Sequence, residues 1–491
     1  MKVRFVTLGC KLNFAESSAL GKELLLRGHQ RASLNEVPDV CVVNTCSVTD
    51  AADHKDRQTI NQLHRKYPNA IIIVTGCYAQ LQPQQIAKIE GVDYVLGQNE
   101  KYEIPKLVAT LESDAAKAAI GRAEPYGILD ATLLDKEEMR REGERVRVGA
   151  IREVEEFHGV HSADDRTRCF IKVQDGCNYF CTYCTIPYAR GKSRNPKISE
   201  VVEDAKKALE QGAKELIITG VNIGDFGRST GERFIELLRA LDRLETEKTT
   251  QSDLINDNID NIALESTPSS ATQENENDLG ERREGENGKV KGEEAREYRV
   301  RISSCEPNLL TDEIIDFVAQ SKHFAPHFHI PLQSGSNEVL KIMGRRYTRE
   351  LFADRVRHIK EMMPHAFIGV DCMVGVRGET QEYWEDYLAF IKGLDVSQLH
   401  VFTYSERANT RMLEMDLCVV PQSERKRRSK ILHALSEEKT KTFYAKHADR
   451  KTVVLWESKK EGDKMAGFTD NYIKVHAPYD KAKVNTFEVI R

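Results

Sequence analysis

The chain has 491 residues, a formal net charge of −5 and 11 cysteines. This length suffices for about three domains with hydrophobic cores of their own. No apolar stretch approaches the ~20 residues of a membrane span, and the first residues, MKVRFVTLGCKLN, form a strand pattern rather than a signal peptide. An odd number of cysteines in clustered spacing argues against a secreted disulfide framework, so we expect a cytoplasmic protein with no membrane association.

Residues 1–112 alternate strand and helix patterns, which predicts a doubly wound α/β domain with a parallel sheet. The runs VRFVTLGC, VCVVNTC and AIIIVTGC end in Cys10, Cys46 and Cys77. One such cysteine is usually a small buried hydrophobe, but three in successive strands are harder to explain that way. Because the carboxyl ends of parallel strands share one edge of a sheet, we expect the three thiols to meet there. An iron–sulfur cluster is usually bound by four cysteine thiolates. Three thiolates can therefore hold such a cluster and leave one iron without a protein ligand.

Residues 113–165 are charged and weakly periodic, as in a linker. A second alternating series over residues 166–420 predicts a partial (β/α)6 barrel whose working loops lie at the strand C-termini. An aromatic-free stretch, residues 245–297, interrupts it with 15 acidic and 6 basic residues. Such a segment does not bury enough apolar surface to order itself, so we predict a disordered acidic insertion. The rest of the chain is then net positive.

The loop after the first predicted barrel strand carries a compact cysteine run, CNYFCTYC. Its members are Cys177, Cys181 and Cys184. Structural zinc sites favour paired C-x2-C units, and no second pair exists here. Gly176 and Pro187 indicate a loop rather than a packed core. We therefore expect a second three-cysteine cluster site.

Polar residues at later strand ends are candidates for binding the cofactor of this site, although each is equally compatible with an ordinary loop. They are Gly220, Asn222, Ser304, Glu306, Gln333 and Asp371. Four further cysteines stand in apolar surroundings and are expected to be core residues. These are Cys41, Cys305, Cys372 and Cys418.

The sequence predicts a basic helix over residues 421–447. It also predicts a small β-barrel over residues 448–491, which is shortened because a final strand is missing. Five basic residues are candidates for phosphate contacts with RNA, although a charged helix face is usually only solvated. They are Arg190, Lys192 and Arg194 after the cysteine loop, and Arg425 and Arg427 on the basic helix.

Three motifs of the first domain, TLGCKLNFAES, VVNTCSVT and VTGCYAQ, are followed by GCNYFCTYCTIPYARGKSR. Together they resemble the methylthiotransferase family of radical S-adenosylmethionine (SAM) enzymes, over nearly the whole chain. The resemblance implies a TRAM-like RNA-binding β-domain at the C-terminus and two 4Fe–4S clusters. Cys10, Cys46 and Cys77 would hold the auxiliary cluster, and the CNYFCTYC cysteines the cluster that binds SAM. Tyr183 would lie near the adenine of SAM, and the clusters and SAM, not a catalytic side chain, would carry the chemistry.

The motifs TIPYARGKSRN and VGVRGET are most similar to the branch that adds a methylthio group to C2 of N6-threonylcarbamoyladenosine beside the tRNA anticodon. This resemblance implies a tRNA anticodon stem-loop as substrate, a flavodoxin-like or ferredoxin-like electron donor, and a sulfur donor. Other branches act on isopentenyladenosine in tRNA or on a ribosomal-protein aspartate. More distant alternatives are an iron–sulfur electron-transfer protein and a non-catalytic RNA-binding module with structural metal.

Overall fold

The computed structural model of the chain describes residues 1–33, 35–121, 145–162, 167–244 and 297–490. The predicted acidic insertion lies outside the described residues except for residue 297, and so do residues 122–144 and 163–165 of the predicted linker and residue 166 of the predicted barrel.

The first lobe is an α/β unit built on one sheet. Its elements are β1 Lys2–Thr7, α1 Lys11–Leu26, β2 Gln30–Arg31, β3 Val40–Thr45, α2 Asp50–Lys66, β4 Ile71–Gly76, α3 Cys77–Leu81, α4 Pro83–Ala87, β5 Val92–Leu96, α5 Ile104–Gly121 and β6 Val146–Arg147. The strand order is β2-β1-β3-β4-β5-β6, and every pairing is parallel. Strand β6 comes from the predicted linker and adds an edge strand to this sheet.

Side chains of the central strands alternate between two hydrophobic cores, as expected when helices cover both faces of a sheet. Cys41 and Val43 pack with residues of α2, α3 and α4. Val40 and Val42 pack with residues of α1 and α5 on the opposite face. The predicted doubly wound parallel sheet is therefore confirmed.

The second lobe contains six parallel strands, as predicted. Its elements are β7 Arg168–Lys172, α6 Ile186–Arg190, α7 Ile198–Glu210, β8 Glu215–Thr219, α8 Phe234–Asp242, β9 Arg299–Ile302, α9 Asp312–Gln320, β10 His327–Gln333, α10 Asn337–Ile342, α11 Arg349–Met362, β11 Phe367–Val374, α12 Gln381–Gly393 and β12 Gln398–Thr403. They form two sheets, β7-β8-β9 and β10-β11-β12. Isolated parallel bridges, Val300 to Phe324 and Ser304 to His329, join them into a partial barrel.

The C-terminal part consists of α13 Gln422–Lys446 and the strands β13 Thr452–Glu461, β14 Lys464–Thr469, β15 Lys474–Pro478 and β16 Phe487–Ile490. The strands form one antiparallel sheet in the order β15-β14-β13-β16. This sheet packs against the amino ends of the barrel strands, where Arg168 pairs with Glu457 and Arg301 lies 4.4 Å from the ring centre of Tyr472. It therefore covers the end of the barrel opposite the cysteine loop.

Among the described residues, no helix combines the length and the apolar character that crossing a bilayer requires.

Candidate functional site

The three cysteines of the first lobe lie at one edge of its sheet. The register pairs Thr7 with Asn44 and Thr45 with Gly76, so β1, β3 and β4 end side by side. Cys10 precedes α1, Cys46 follows β3, and Cys77 begins α3. A Cβ atom added to Gly9, at φ +95°, would lie 2.5 Å from Cβ of Cys46. Only glycine allows the loop that carries Cys10 to pack so closely on Cys46.

The thiols of this first trio are close enough to influence one another. Burial, followed by the neighbouring thiols of Cys77 and Cys10, raises the pKa of Cys46 to about 12. Burial also raises the pKa of Cys77, while the positive charges of Arg190 and Lys101 oppose that rise. Thiolates at these positions therefore require a cation to replace the lost hydration.

The second trio lies in the loop between β7 and α6. Gly176, at φ +69°, turns the chain so closely that an added Cβ would stand 2.0 Å from the carbonyl oxygen of Lys192. The backbone N–H of Cys184 donates to the Cys181 carbonyl over 3.0 Å. Burial, with a further contribution from the Cys181 thiol, raises the pKa of Cys177 to about 11 and that of Cys184 to about 12. This loop therefore gathers three mutually interacting thiols.

Both trios have the donor chemistry of an iron–sulfur cluster, whose irons are bound by cysteine thiolates. The neighbourhood of Cys77, with Arg190 and Lys101, also suits an anionic centre. The donor sets therefore agree with three-cysteine iron–sulfur sites.

Arg345 connects one cysteine of the second trio with two predicted SAM-binding residues. Its Nη1 donates to Sγ of Cys181 over 3.3 Å and to the hydroxyl of Tyr183 over 3.4 Å. Its Nη2 pairs with the carboxylate of Glu306. Arg345 and Glu306 therefore form a charged pair beside Cys181.

Gln174 ties the cysteine loop to the loop after β8. Its Nε2 donates to the Gly176 carbonyl over 2.7 Å, and its Oε1 accepts from the backbone N–H groups of Val221 and Asn222. Gly220 leaves room for this contact, because an added Cβ would lie 2.8 Å from the Gln174 carbonyl oxygen. Asn222 is buried, and its side-chain oxygen has no hydrogen-bond partner. The structure thus places Gly220 and Asn222 next to the second trio.

The remaining predicted SAM-binding residues lie along β9, β10 and β11. His329 joins two of them, since its Nδ1 lies 2.8 Å from Oγ of Ser304 and its Nε2 lies 2.7 Å from the Asp371 carboxylate. Gln333 adopts a left-handed φ of 64°, and its side-chain oxygen is buried without a partner. Ser304 and Asp371 are therefore held by His329, whereas the Gln333 oxygen remains available.

The two trios meet at the interface between the lobes. Oγ1 of Thr185, which follows Cys184, donates to the backbone carbonyl of Ser47, which follows Cys46. Nη2 of Arg407 also crosses the interface and lies 2.6 Å from both Oγ of Ser47 and a carboxylate oxygen of Asp53. These contacts fix the strand-end loops of both lobes against each other.

A buried ionic network continues this interface. Glu16 of α1 lies 2.5 Å from Nζ of Lys101, 3.1 Å from Nζ of Lys172 and 3.1 Å from Nη1 of Arg190. Asp175 lies 2.8 Å from Lys172, 3.1 Å from Arg190 and 3.2 Å from Arg194. Four cations thus surround two carboxylates, and the network has an excess of positive charge. This excess favours anionic thiolates beside it.

The structure corrects three of the five predicted RNA contacts. Arg190 and Arg194 are buried in the ionic network, and Arg425 is buried, where it donates to the carbonyls of Val420 and Tyr404. Buried side chains that are already bonded within the protein are not available to a phosphate. Lys192 and Arg427 are exposed, although Arg427 pairs with Glu424.

The structure also tests the predicted core cysteines. Cys41, Cys305 and Cys372 are buried, as predicted. The prediction for Cys418 is wrong, because this residue is exposed in the segment before α13.

Two site residues were not found from the sequence. Gln174 lies between strand β7 and the cysteine loop. A polar residue at the end of a strand could have been predicted as a site residue from this position alone. Arg345 lies more than 160 residues after Cys181, and no local pattern connects them.

A partial α/β barrel with three cysteines after its first strand is the arrangement of a radical SAM enzyme. In agreement with this class, residues 171–391 match the Radical SAM superfamily, and residues 2–97 match the family described as "Uncharacterized protein family UPF0004". The fold is similar to the solved structure of the radical S-adenosylmethionine methyltransferase TsrM from Kitasatospora setae. The TM-score is 0.50 at 16% identity, over 81% of this chain and 72% of that one.

Curated relatives are similar over nearly the whole length. Threonylcarbamoyladenosine tRNA methylthiotransferase MtaB of Bacillus subtilis is 32% identical over 96% of this chain and 89% of its own. The MtaB protein of Aquifex aeolicus is also 32% identical, over 97% and 96%. A tRNA-2-methylthio-N(6)-dimethylallyladenosine synthase of Pelotomaculum thermopropionicum is 28% identical, over 84% and 77%. The chain therefore belongs to the methylthiotransferase family of radical SAM enzymes.

Proposed function

We propose that this protein adds a methylthio group to C2 of N6-threonylcarbamoyladenosine beside the anticodon of tRNA. Its cofactors are SAM and two 4Fe–4S clusters. One cluster is held by Cys10, Cys46 and Cys77, and the other by the three cysteines of the CNYFCTYC loop. The clusters and SAM supply the radical and sulfur-transfer chemistry when bound.

The observation that carries the proposal is the meeting of the two trios at one lobe interface, through Thr185 and Ser47. A reaction that joins sulfur to an unactivated carbon needs both centres at one substrate atom. The names of the relatives from Bacillus subtilis and Aquifex aeolicus support the choice of nucleoside. An unpaired nucleotide of an anticodon loop, splayed out of its stack, is suited to entering such an interface.

The chain's own residues bind, orient and shield. Arg345 orients Glu306 and the Cys181 thiol, and Gln174 fixes the cysteine loop against the loop after β8. The ionic network around Glu16 is buried and links the two lobes through paired charges. Tyr183, Asn222 and Gln333 are the residues we assign to SAM contacts. We further infer that the protein acts in the cytoplasm, with a sulfur donor and a flavodoxin-like or ferredoxin-like electron donor.

Nucleoside analysis of tRNA tests the substrate. A strain lacking the gene is complemented with the wild-type gene, with Cys10→Ala or with Cys418→Ala as the matched control. We expect 2-methylthio-N6-threonylcarbamoyladenosine to disappear from the deletion strain and to return only with the wild type and Cys418→Ala. Its persistence in the deletion strain would reject this substrate. Loss of the methylthio derivative of isopentenyladenosine instead would assign the other tRNA branch.

A further inference from the structure

Phe180 is an exposed aromatic residue inside the cysteine loop. It directly precedes Cys181 and is 39% exposed, whereas Tyr179 on its other side is buried. Its backbone has a left-handed φ of 51°, a conformation that bulky residues rarely adopt. An exposed apolar residue alone is common on protein surfaces, but here exposure is combined with an unfavourable backbone conformation. Such outliers concentrate at ligand-binding sites, so Phe180 is a candidate contact for the substrate.

The contacts of Phe180 place it beside the interface between the lobes. Its ring meets the ring of Tyr188 edge-on, with ring centres 6.1 Å apart. Helix α6, which carries Tyr188, packs against α3 of the first lobe, the helix that begins at Cys77. Phe180 is therefore next to one cluster site in the chain and, through α6, beside the interface that leads to the other.

Two arginines lie over the two tyrosines next to Phe180. The guanidinium carbon of Arg152 lies 4.9 Å from the ring centre of Tyr188. That of Arg346 lies 4.1 Å from the ring centre of Tyr179. Both arginines are exposed, and Arg346 also donates to a backbone carbonyl of the cysteine loop over 3.1 Å. A guanidinium that lies over a ring keeps N–H groups at its edge, and these suit a phosphate.

An exposed aromatic ring flanked by cations has the chemistry of a contact for single-stranded nucleic acid. A base stacks on the ring, and neighbouring arginine and lysine side chains bind the backbone phosphates. Lys192 adds a third cation, since it is exposed and its backbone packs against Gly176 at the start of the cysteine loop. Three cations around one ring favour a polyanion over an apolar protein segment as the partner.

We propose that Phe180 stacks on the base next to the target adenosine in the anticodon loop. The inference rests on the proposed function. An adenosine that leaves the stack of the loop and enters the lobe interface deprives its neighbour of a stacking partner. The ring of Phe180 replaces that partner at the entrance, Tyr188 supports the ring from the side, and Arg152 and Arg346 bind phosphates of the same segment.

Binding of synthetic anticodon stem-loops to the reconstituted protein under anaerobic conditions tests the stack. All loops carry threonylcarbamoyladenosine, and in two of them the nucleotide on its 5′ or its 3′ side is abasic. The wild type should bind one of the abasic loops about tenfold more weakly than the intact loop, the effect of one base–aromatic stack. Phe180→Leu should bind the intact loop about tenfold more weakly than the wild type does, and it should no longer distinguish the intact loop from that abasic loop. Phe180→Trp should retain both the affinity and the discrimination.

Tyr479→Leu is the matched control. Tyr479 is a similarly exposed aromatic residue, but it follows β15 in the C-terminal sheet, which covers the other end of the barrel. Whatever its overall affinity for the stem-loops, this variant should distinguish the intact loop from the abasic loop as the wild type does. Iron content shows whether each Phe180 variant still assembles both clusters, and SAM binding is measured in parallel.

Equal binding of the intact loop and both abasic loops by the wild type would overturn the inference, and this arm requires no variant to fold. If the same wild-type protein methylthiolates the intact loop, the proposed function stands and only the stack is rejected. Undiminished discrimination by Phe180→Leu would also reject the stack. A Phe180→Leu variant that loses SAM affinity but binds the loops as the wild type does would assign Phe180 to the cofactor instead. A wild type that is inactive on the intact loop would reject the proposed function, and the inference with it.

Discussion

The hydroxyl of Thr185 lies 3.3 Å from the backbone carbonyl oxygen of Ser47, to which it donates a hydrogen bond across the interface between the lobes. Thr185 follows the last cysteine of the second trio, and Ser47 follows the middle cysteine of the first. This one contact therefore joins two cysteine sites that are more than 130 residues apart in the chain. It makes a shared reaction site possible.

The two trios should contribute iron independently. After anaerobic reconstitution, we expect about eight irons per wild-type chain and about four in either the Cys10/Cys46/Cys77 or the Cys177/Cys181/Cys184 triple alanine variant, because each trio holds one 4Fe–4S cluster. Iron and sulfide assays measure this. Cys372→Ala, a buried cysteine outside both trios, is the control and should leave the iron content unchanged. A first-trio variant that still contains eight irons would contradict the assignment.

The hydrogen bond from Nε2 of Gln98 to Sγ of Cys77, 3.2 Å long, should set the redox potential of the first site. Such a bond stabilises the more negative, reduced cluster, so removing it lowers the reduction potential. For Gln98→Leu we expect a shift of about 50 mV to lower potential, which corresponds to about 1 kcal/mol for one electron. An anaerobic titration followed by electron paramagnetic resonance measures it. A shift confined to the other cluster would refute this role of Gln98.

Removing one charge from the interface network should destabilise the protein strongly. Arg190 is buried between Glu16 and Asp175, and its loss leaves carboxylates with fewer partners. We expect Arg190→Met to lower the free energy of unfolding by about 3 kcal/mol or more, as for other broken buried pairs. Urea unfolding of the metal-free protein measures this effect. Arg427→Met removes an exposed pair with Glu424 and should change the free energy little, so equal effects of the two variants would argue against a tight interface.

Acid should weaken the barrel through Glu215. Burial by itself raises the pKa of this carboxyl, but Arg299, Arg301 and Arg168 outweigh it and lower the pKa from 4.5 to about 2. A carboxylate with a depressed pKa in the folded state stabilises the protein above pH 4.5, and that contribution is lost as the pH falls towards 2. The full effect is about 3 kcal/mol.

The measurement compares the pH dependence of urea unfolding for the wild type and Glu215→Gln, both metal-free. The wild-type free energy of unfolding should fall more steeply than that of the variant below pH 4.5. Parallel curves would show that Glu215 does not carry this dependence.

Much of the architecture could be predicted from local patterns. The apolar runs before Cys10, Cys46 and Cys77 predicted parallel strands, and the two cores on opposite faces of the sheet confirm them. The second alternating series predicted six strands, and the described part of the second lobe contains six. Apolar runs of strand length are encoded within a few neighbouring residues, so they can be recognised without the fold.

The charged residues of the site could not be assigned in this way. Arg190 and Arg194 lie in a basic stretch that resembles a solvated or RNA-binding surface, yet both are buried. Their partners include Glu16, which is 174 positions from Arg190. Whether a charge is solvated or paired depends on which distant carboxylate the fold brings to it, and no local spacing encodes that.

The sequence by itself therefore determined the class of chemistry, because two cysteine trios at strand ends already restrict the cofactor. The tertiary structure decided how the trios relate, through Thr185 and Ser47, and which cations are buried. Arg190 and Lys192 both follow the second cysteine loop, and only the fold distinguishes them. Arg190 is neutralised by carboxylates from both lobes, whereas Lys192 is exposed, since long-range packing decides which charges are desolvated and paired.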